Sequence, residues 1–165
     1  MSAIDIRDAI FPAQAGIVRQ IFREYADGLG VDLCFQGFES ELRDLPGKYG
    51  LPRGRVLLAF ARGALVGCVA MRPVDDEACE MKRLYVRPEG RRLGTGRQLV
   101  QRLCRIAESV GYRRICLDTL ATMHAAQSLY ASLGFKPTAP YVFNPTEGVK
   151  FFAKDLSVTT GSLDE

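Results

Sequence analysis

The stretch RPEGRRLGTGRQLVQRLCRIAESVGY, residues 87–112, crowds three glycines and three arginines into its first ten positions and then becomes a regular amphipathic run. From Leu99 onward the apolar residues Leu99, Val100, Leu103, Ile106, Ala107 and Val110 recur at steps of one, three or four, with Arg102, Arg105 and Glu108 between them. That spacing predicts a helix with one buried face, closed by Gly111 at the position where a left-handed residue ends a helix. A helix start leaves backbone N–H groups without acceptors and carries the positive end of the helix dipole, so it favours an anion. Gly94 and Gly96 lack the Cβ atoms that would block close approach, and Arg91, Arg92 and Arg97 add charged donors. The loop therefore reads as a pyrophosphate cradle. Two well-known cradles do not fit, because Leu99 stands where the third glycine of GxGxxG belongs and no GK[ST] is present.

The segments around the loop divide cleanly. AIDIR (3–7) alternates like a strand, and Pro12 suits the first turn of a helix whose stripe is Ile17, Val18, Ile21, Phe22 and Tyr25. A short helix is predicted over residues 39–45, and Gly47, Gly50, Pro52 and Gly54 mark a loop. RVLLAFAR (55–62) and ALVGCVAMRPV (64–74), separated only by Gly63, predict a hairpin, and ACEMKRLYV (78–86) a third strand leading into the cradle. Beyond it, RICLDTL (114–120) predicts a strand and Thr122 an N-cap. Met123, Ala126, Leu129, Tyr130 and Leu133 form the stripe of another helix, ended by Gly134. Phe135 begins a further strand, joined through Pro137, Pro140 and Pro145 to VKFFAKDL (149–156). Strands dominate the first half and strand–helix alternation the second, which predicts an α/β domain with a mixed central sheet.

Composition bounds the function. At 165 residues the chain supports one core, with 47% hydrophobic and 25% charged residues and a net charge of +3. So mild a charge does not by itself suggest nucleic acid or membrane, and an anionic partner must be argued from local clustering. Arg102, Arg105, Arg113 and Arg114 extend the basic series, but no aromatics are interleaved with them, as nucleic-acid binding would ask. The five cysteines (Cys34, Cys68, Cys79, Cys104, Cys116) form no CxxC pair and sit mostly in apolar runs, which predicts buried, reduced thiols and a cytoplasmic protein. No secretory leader or membrane span is predicted, and no His/Cys/Asp cluster has metal-ligand spacing. His124, the single histidine, is expected on the surface of a first helical turn.

ACEMKRLYVRPEGRRLGTGRQLVQRL (78–103), followed by LDTLATMHAAQSLYASLGF (117–135), resembles the GCN5-related N-acetyltransferases (the GNAT family). Their pyrophosphate loop reads [RQ]xxGx[GA], here Arg91, Gly94 and Gly96, and a later helix carries LYxxxGF, here Leu129, Tyr130, Gly134 and Phe135. The likeness is strong over residues 55–156, and the RLYV and NP elements are familiar from bacterial members. It implies one domain over residues 1–156 with a mostly antiparallel sheet flanked by helices, and the polar SVTTGSLDE that follows, residues 157–165, reads by its composition as a flexible tail. It also implies acetyl-CoA as co-substrate. The pantetheine arm would lie along Leu84, Tyr85 and Val86 like an added strand, beside a strand splay, with the pyrophosphate on Arg91, Arg92, Leu93, Gly94, Thr95, Gly96 and Arg97. Backbone N–H groups of the RLYV segment would hold the thioester oxygen.

By the same resemblance Tyr130 is the general acid toward the departing thiolate, and Glu80, 14 positions before Gly94, the general base. A base matters most for a lysine-type amine of pKa about 10.4, only roughly 0.1% neutral at pH 7.4, and little for an α-amine near 7.8. The other reading of Glu80 is an ion pair with Lys82 or with an arginine across the sheet, and that of Tyr130 is a core residue. The chain departs from the family where many members have an asparagine contacting the CoA arm, since it carries Met123 there. That departure admits a non-catalytic acyl-CoA sensor as the alternative to an enzyme. The acceptor, a small-molecule or peptide amine, would be shaped by residues 22–50 and 136–148, and a homodimer would rearrange that lining.

Overall fold

The computed structural model describes residues 3–30, 32–33 and 37–157. The elements run β1 (Ile4–Asp8), α1 (Ala15–Leu29), α2 (Phe38–Arg43), β2 (Arg55–Ala61), β3 (Ala64–Pro73), β4 (Ala78–Val86), α3 (Thr95–Val110), β5 (Arg114–Thr119), α4 (His124–Ser132), β6 (Lys136–Pro137) and β7 (Lys150–Asp155). The strands form one sheet in the order β1-β2-β3-β4-β5-β7-β6. Every pairing is antiparallel except β4 with β5, so the sheet is mixed and mostly antiparallel.

The unbroken apolar runs of β2 and β3 follow from burial on both faces of the sheet. Successive side chains point to opposite faces. Val56, Leu58, Cys68 and Ala70 accordingly pack with Val18, Ile21 and Phe22 of α1, whereas Leu57, Val69 and Met71 pack with Leu99, Leu103 and Ala107 of α3. Each face carries its own core.

Several boundaries depart from the sequence expectation. Pro12 lies in a turn, where Gln14 N–H donates to Ile10, and the helix begins only at Ala15. Thr122 is not the cap of α4: Met123 holds that position, and the entry is held instead by Gln127, whose amide donates to the carbonyls of Leu120 and Ala121 at 2.9 and 3.3 Å. The strand at Phe135 shrinks to Lys136–Pro137, since Pro137 has no N–H with which to extend a ladder. No helix among the described residues is long and apolar enough to cross a membrane.

Two irregularities shape the centre. Cys68 pairs with Tyr85 but Ala70 with Lys82, so β4 holds two residues, Arg83 and Leu84, against Val69 alone. This is a β-bulge, with Arg83 at φ 63°. The bulge turns Arg83 toward α1 and α2, where its guanidinium donates twice to Glu41 at 2.9 and 3.0 Å and lies over the rings of Tyr25 and Phe38. The second irregularity is that β4 and β5 pair only through Ala78↔Arg114, Cys79↔Ile115 and Glu80↔Cys116. Beyond that rung they diverge.

Candidate active site

Where β4 and β5 part, a cavity of about 50 Å³ opens between their ends. Lys82 and Leu84 of β4, Asp118 and Thr119 of β5, Tyr25 of α1 and Tyr130 of α4 line it. Leu117 belongs to the α3 core, so by alternation Thr119 shares that face and Asp118 looks to the α1 side. The cavity is thus bordered from both faces of the sheet.

Tyr130 rises from α4 with its ring in the core, centroids 5.7 Å from Phe135 and 6.5 Å from Phe152. Burial pushes its phenol pKa up, and Tyr25 and Asp118 add to the effect. It is a protonated hydroxyl facing a cavity, as a proton donor must be. Across from it Asp118 Oδ2 accepts from Asn144 Nδ2 at 3.0 Å, and Lys82 Nζ stands 3.8 Å from Oδ1. Burial lowers the Lys82 pKa, and Asp118 opposes that shift. Thr119 Oγ1 is buried with no hydrogen-bond partner among the described residues.

Glu80 sits one rung below the opening and is not among the residues that line it. Arg72 Nε donates to its Oε1 at 2.5 Å and the Tyr141 hydroxyl to its Oε2 at 2.9 Å. The ion pair across the sheet, weighed above against a base, is the arrangement found. Burial, and then the charge of Glu80, drive the Tyr141 pKa up. His124 is exposed in the first turn of α4. Cys68, Cys79, Cys104 and Cys116 are free and buried, with burial pushing the Cys104 thiol up to about 11, so none is a ready nucleophile. Cys34 lies outside the described residues.

The cradle lies at the far end of β4. β3 occupies one edge of Tyr85 and Val86, and past Glu80 the other edge of β4 pairs with no strand among the described residues. The chain then turns through Pro88–Gly90 into α3, whose N-cap Gly94 is left-handed at φ 73°. Arg91, Arg92, Leu93 and Arg97 are exposed around that start. Arg91 Nε donates to the Val86 carbonyl at 3.2 Å, and Arg97 Nη2 to Ser132 Oγ at 2.8 Å. Thr95 turns its hydroxyl inward to the Gly90 carbonyl at 2.7 Å, so it offers a ligand only its N–H. A Cβ on Gly96 would meet nothing closer than Leu129 Cδ2 at 3.6 Å, whereas one on Gly90 would lie 2.8 Å from Val66 Cβ. Of Gly90, Gly94 and Gly96, Gly90 is thus the one that packing requires. Arg87 holds the loop to α1 through two bonds to Glu24, at 2.6 and 2.9 Å.

Sequence reasoning missed Asp118, Lys82, Thr119 and Gly90. Asp118 had one signal, the single acidic residue of RICLDTL directly after the apolar Ile115, Cys116 and Leu117, but only the divergence of two strands turns that position into a cavity wall.

Known proteins resemble this chain throughout. The acetyltransferase (GNAT) family model matches residues 18–135. An uncharacterized N-acetyltransferase of Schizosaccharomyces pombe is 40% identical over 158 residues, covering 94% of this chain and 97% of its own, so the sequence pattern is not confined to bacteria. A GNAT-family acetyltransferase from Staphylococcus aureus Mu50 superposes with a TM-score of 0.78 at 19% identity, over 94% of this chain and 100% of that one. A putative acetyltransferase from Salmonella typhimurium, solved with its cofactor acetyl-CoA, gives 0.71 at 21% identity over 94% and 95%. With the matched model spanning most of the chain, and the splayed strands and arginine-flanked helix start in their expected order, the chain belongs to the acetyltransferase (GNAT) family.

Proposed function

We propose that the protein transfers an acetyl group from acetyl-CoA to an amine of a small molecule or peptide, by direct attack of the amine on the thioester. The observation that carries this reading is the unpaired edge of β4, which runs from a cavity holding Tyr130 to the arginine-flanked start of α3. The residues fit the co-substrate. The backbone of Leu84, Tyr85 and Val86 would pair with the amides of the extended arm, as an added strand pairs with a sheet edge. Thr119 Oγ1, buried without a partner, supplies a further polar group where Met123 replaces the family's asparagine. Arg91, Arg92 and Arg97, with the N–H groups of Thr95 and Gly96, would hold the pyrophosphate.

Acetyl-CoA supplies an activated acyl carbon. The chain supplies orientation and proton handling: N–H groups at the bulge would bind the developing oxyanion, and Tyr130 would protonate the departing sulfur. A thermal melt with acetyl-CoA tests the binding half. At 100 times the dissociation constant the stabilisation is about 2.7 kcal/mol, a rise of roughly 5 to 11 °C for a domain this size. Adenosine nucleotides without the arm should shift it less. Thiol release against alkyl amines, amino acids and peptides tests catalysis, and binding without release from any of them would make the protein an acyl-CoA sensor.

A further inference from the structure

We propose that Lys82 binds a carboxylate carried by the acceptor, so that the amine acetylated is that of a small amino acid. This rests on the acetyltransferase reading above and names the acceptor class for it.

Hydrogen-bond accounting is the first argument. Arg72, Lys82 and Arg83 stand near one another, and both arginines are satisfied: Arg72 donates to Glu80, and Arg83 donates twice to Glu41. Lys82 is not. Its side chain is 4% exposed, and the anion paired with it among the described residues, Asp118, stands 3.8 Å away, beyond hydrogen-bond reach. Glu80, the other carboxylate near it, has its oxygens taken by Arg72 and Tyr141. An ammonium carries three N–H donors, and burying them unmet is costly, so a group in this state calls for a ligand.

Place is the second argument. Met81 packs in the α3 core, so alternation turns Lys82 to the α1 side, and it lines the cavity there. Tyr130 reaches the same cavity from α4. With the departing sulfur on the Tyr130 side, the Lys82 side is left to the acceptor. The anions of acetyl-CoA have their own donors beyond Val86, in Arg91, Arg92 and Arg97, and its extended arm and acetyl group carry no charge. A buried cation on the acceptor side therefore matches an anion on the acceptor.

Charge and size narrow the class. Lys82 and Asp118 together are neutral, and so is an amino acid as a zwitterion, whereas a polyamine would bring further positive charge against a buried cation. At about 50 Å³ the cavity takes a compact head group, so the carboxylate and the amine must lie close together, as in an α- or β-amino acid.

The test measures kcat/KM for alanine and leucine, each as the free acid and as its amide, with putrescine as an amine that has no carboxylate. Expected is a preference of about 10- to 100-fold for the acids. It should appear even though the neighbouring carboxylate keeps the acid's amine more often protonated. In Lys82→Met the acids should lose that advantage through a raised KM, while the melting shift with acetyl-CoA is kept. A merely structural lysine would lower acid and amide alike, and that result overturns the proposal. So does equal use of acid and amide by the wild type, or an acetyl adduct on Lys82 itself in peptide mass spectrometry. Should Lys82→Met fail to melt cooperatively, wild-type inhibition decides. Propionate and isocaproate should compete with the amino acid and their amides should not, and equal inhibition by both overturns the proposal. Turnover of putrescine or the amides alone defeats this proposal only. Release from no amine at all would defeat the proposed function with it.

Discussion

Arg72 and Glu80 face one another across β3 and β4, with Arg72 Nε donating to Glu80 Oε1 at 2.5 Å. The pair is the middle of a chain, for Arg72 also lies 3.8 Å from Glu41, Glu41 is held by Arg83, and the Tyr141 hydroxyl closes the other side of Glu80. Glu80 thereby ties α2, the bulge and the 138–149 loop to the sheet. Replacing it with Gln leaves Arg72 half-buried and short of a charge partner, a loss of about 3 kcal/mol. The melting midpoint of Glu80→Gln should fall by roughly 6 to 12 °C. In the folded variant kcat/KM should fall less than tenfold if Glu80 serves structure alone, and a larger fall with an unchanged midpoint would show it to act as the base.

Tyr130→Phe removes one oxygen and keeps the ring that packs on Phe135 and Phe152. Proton donation of this kind is worth about 100-fold or more. Expected is a kcat drop of roughly 10- to 100-fold, since a thiolate leaves fairly well unaided, with an unchanged acetyl-CoA dissociation constant in calorimetry. Weakened binding with kcat intact would assign Tyr130 to the arm of the co-substrate rather than to proton transfer.

The two flanking glycines of the cradle separate packing from ligand approach. A Cβ at Gly90 would press on Val66 Cβ at 2.8 Å and Val86 Cγ1 at 3.0 Å, so Gly90→Ala should cost about 1 to 3 kcal/mol. Gly96→Ala meets only ordinary contacts at 3.6 and 3.8 Å and should leave the melting midpoint nearly unchanged. Arg91→Ala, at an exposed position, should likewise melt normally while weakening acetyl-CoA binding, most at low salt. Parallel melts with and without acetyl-CoA read all three.

Alkali should unfold the protein earlier than its salt bridges suggest. Burial raises the pKa values of Cys68, Cys79, Tyr49, Tyr130 and Tyr141, so their protons are held more tightly folded than unfolded. Their contribution is complete below the unfolded values, about 8.5 for thiols and about 10 for phenols, and is lost as pH rises past them. Lys82, lowered by burial, works in the opposite sense below about 10.4, but it is one group against several. Melting midpoints from pH 7 to 10.5 should decline from about pH 8.5. Midpoints that stay level to pH 10.5 would show these thiols and phenols to be wetter than their surroundings allow.

Local patterning determined much of this protein from sequence alone. Helix periodicity fixed α1 and α3, and the glycine–arginine cluster was legible as the start of α3, because a helix start and its flanking residues are contiguous in the chain. The paired motifs around Arg91 and Tyr130 were enough for the family. What depended on residues distant in sequence was decided only in three dimensions. The bulge at Arg83 comes from a mismatch in register between β3 and β4, and the cavity from strands that stop pairing after Glu80↔Cys116. The partner of Glu80 was set by the strand opposite, and the reach of Asp118 to Asn144 spans 26 residues. Periodicity tells a residue which face it takes, but which charge waits on that face is settled by the register of another strand.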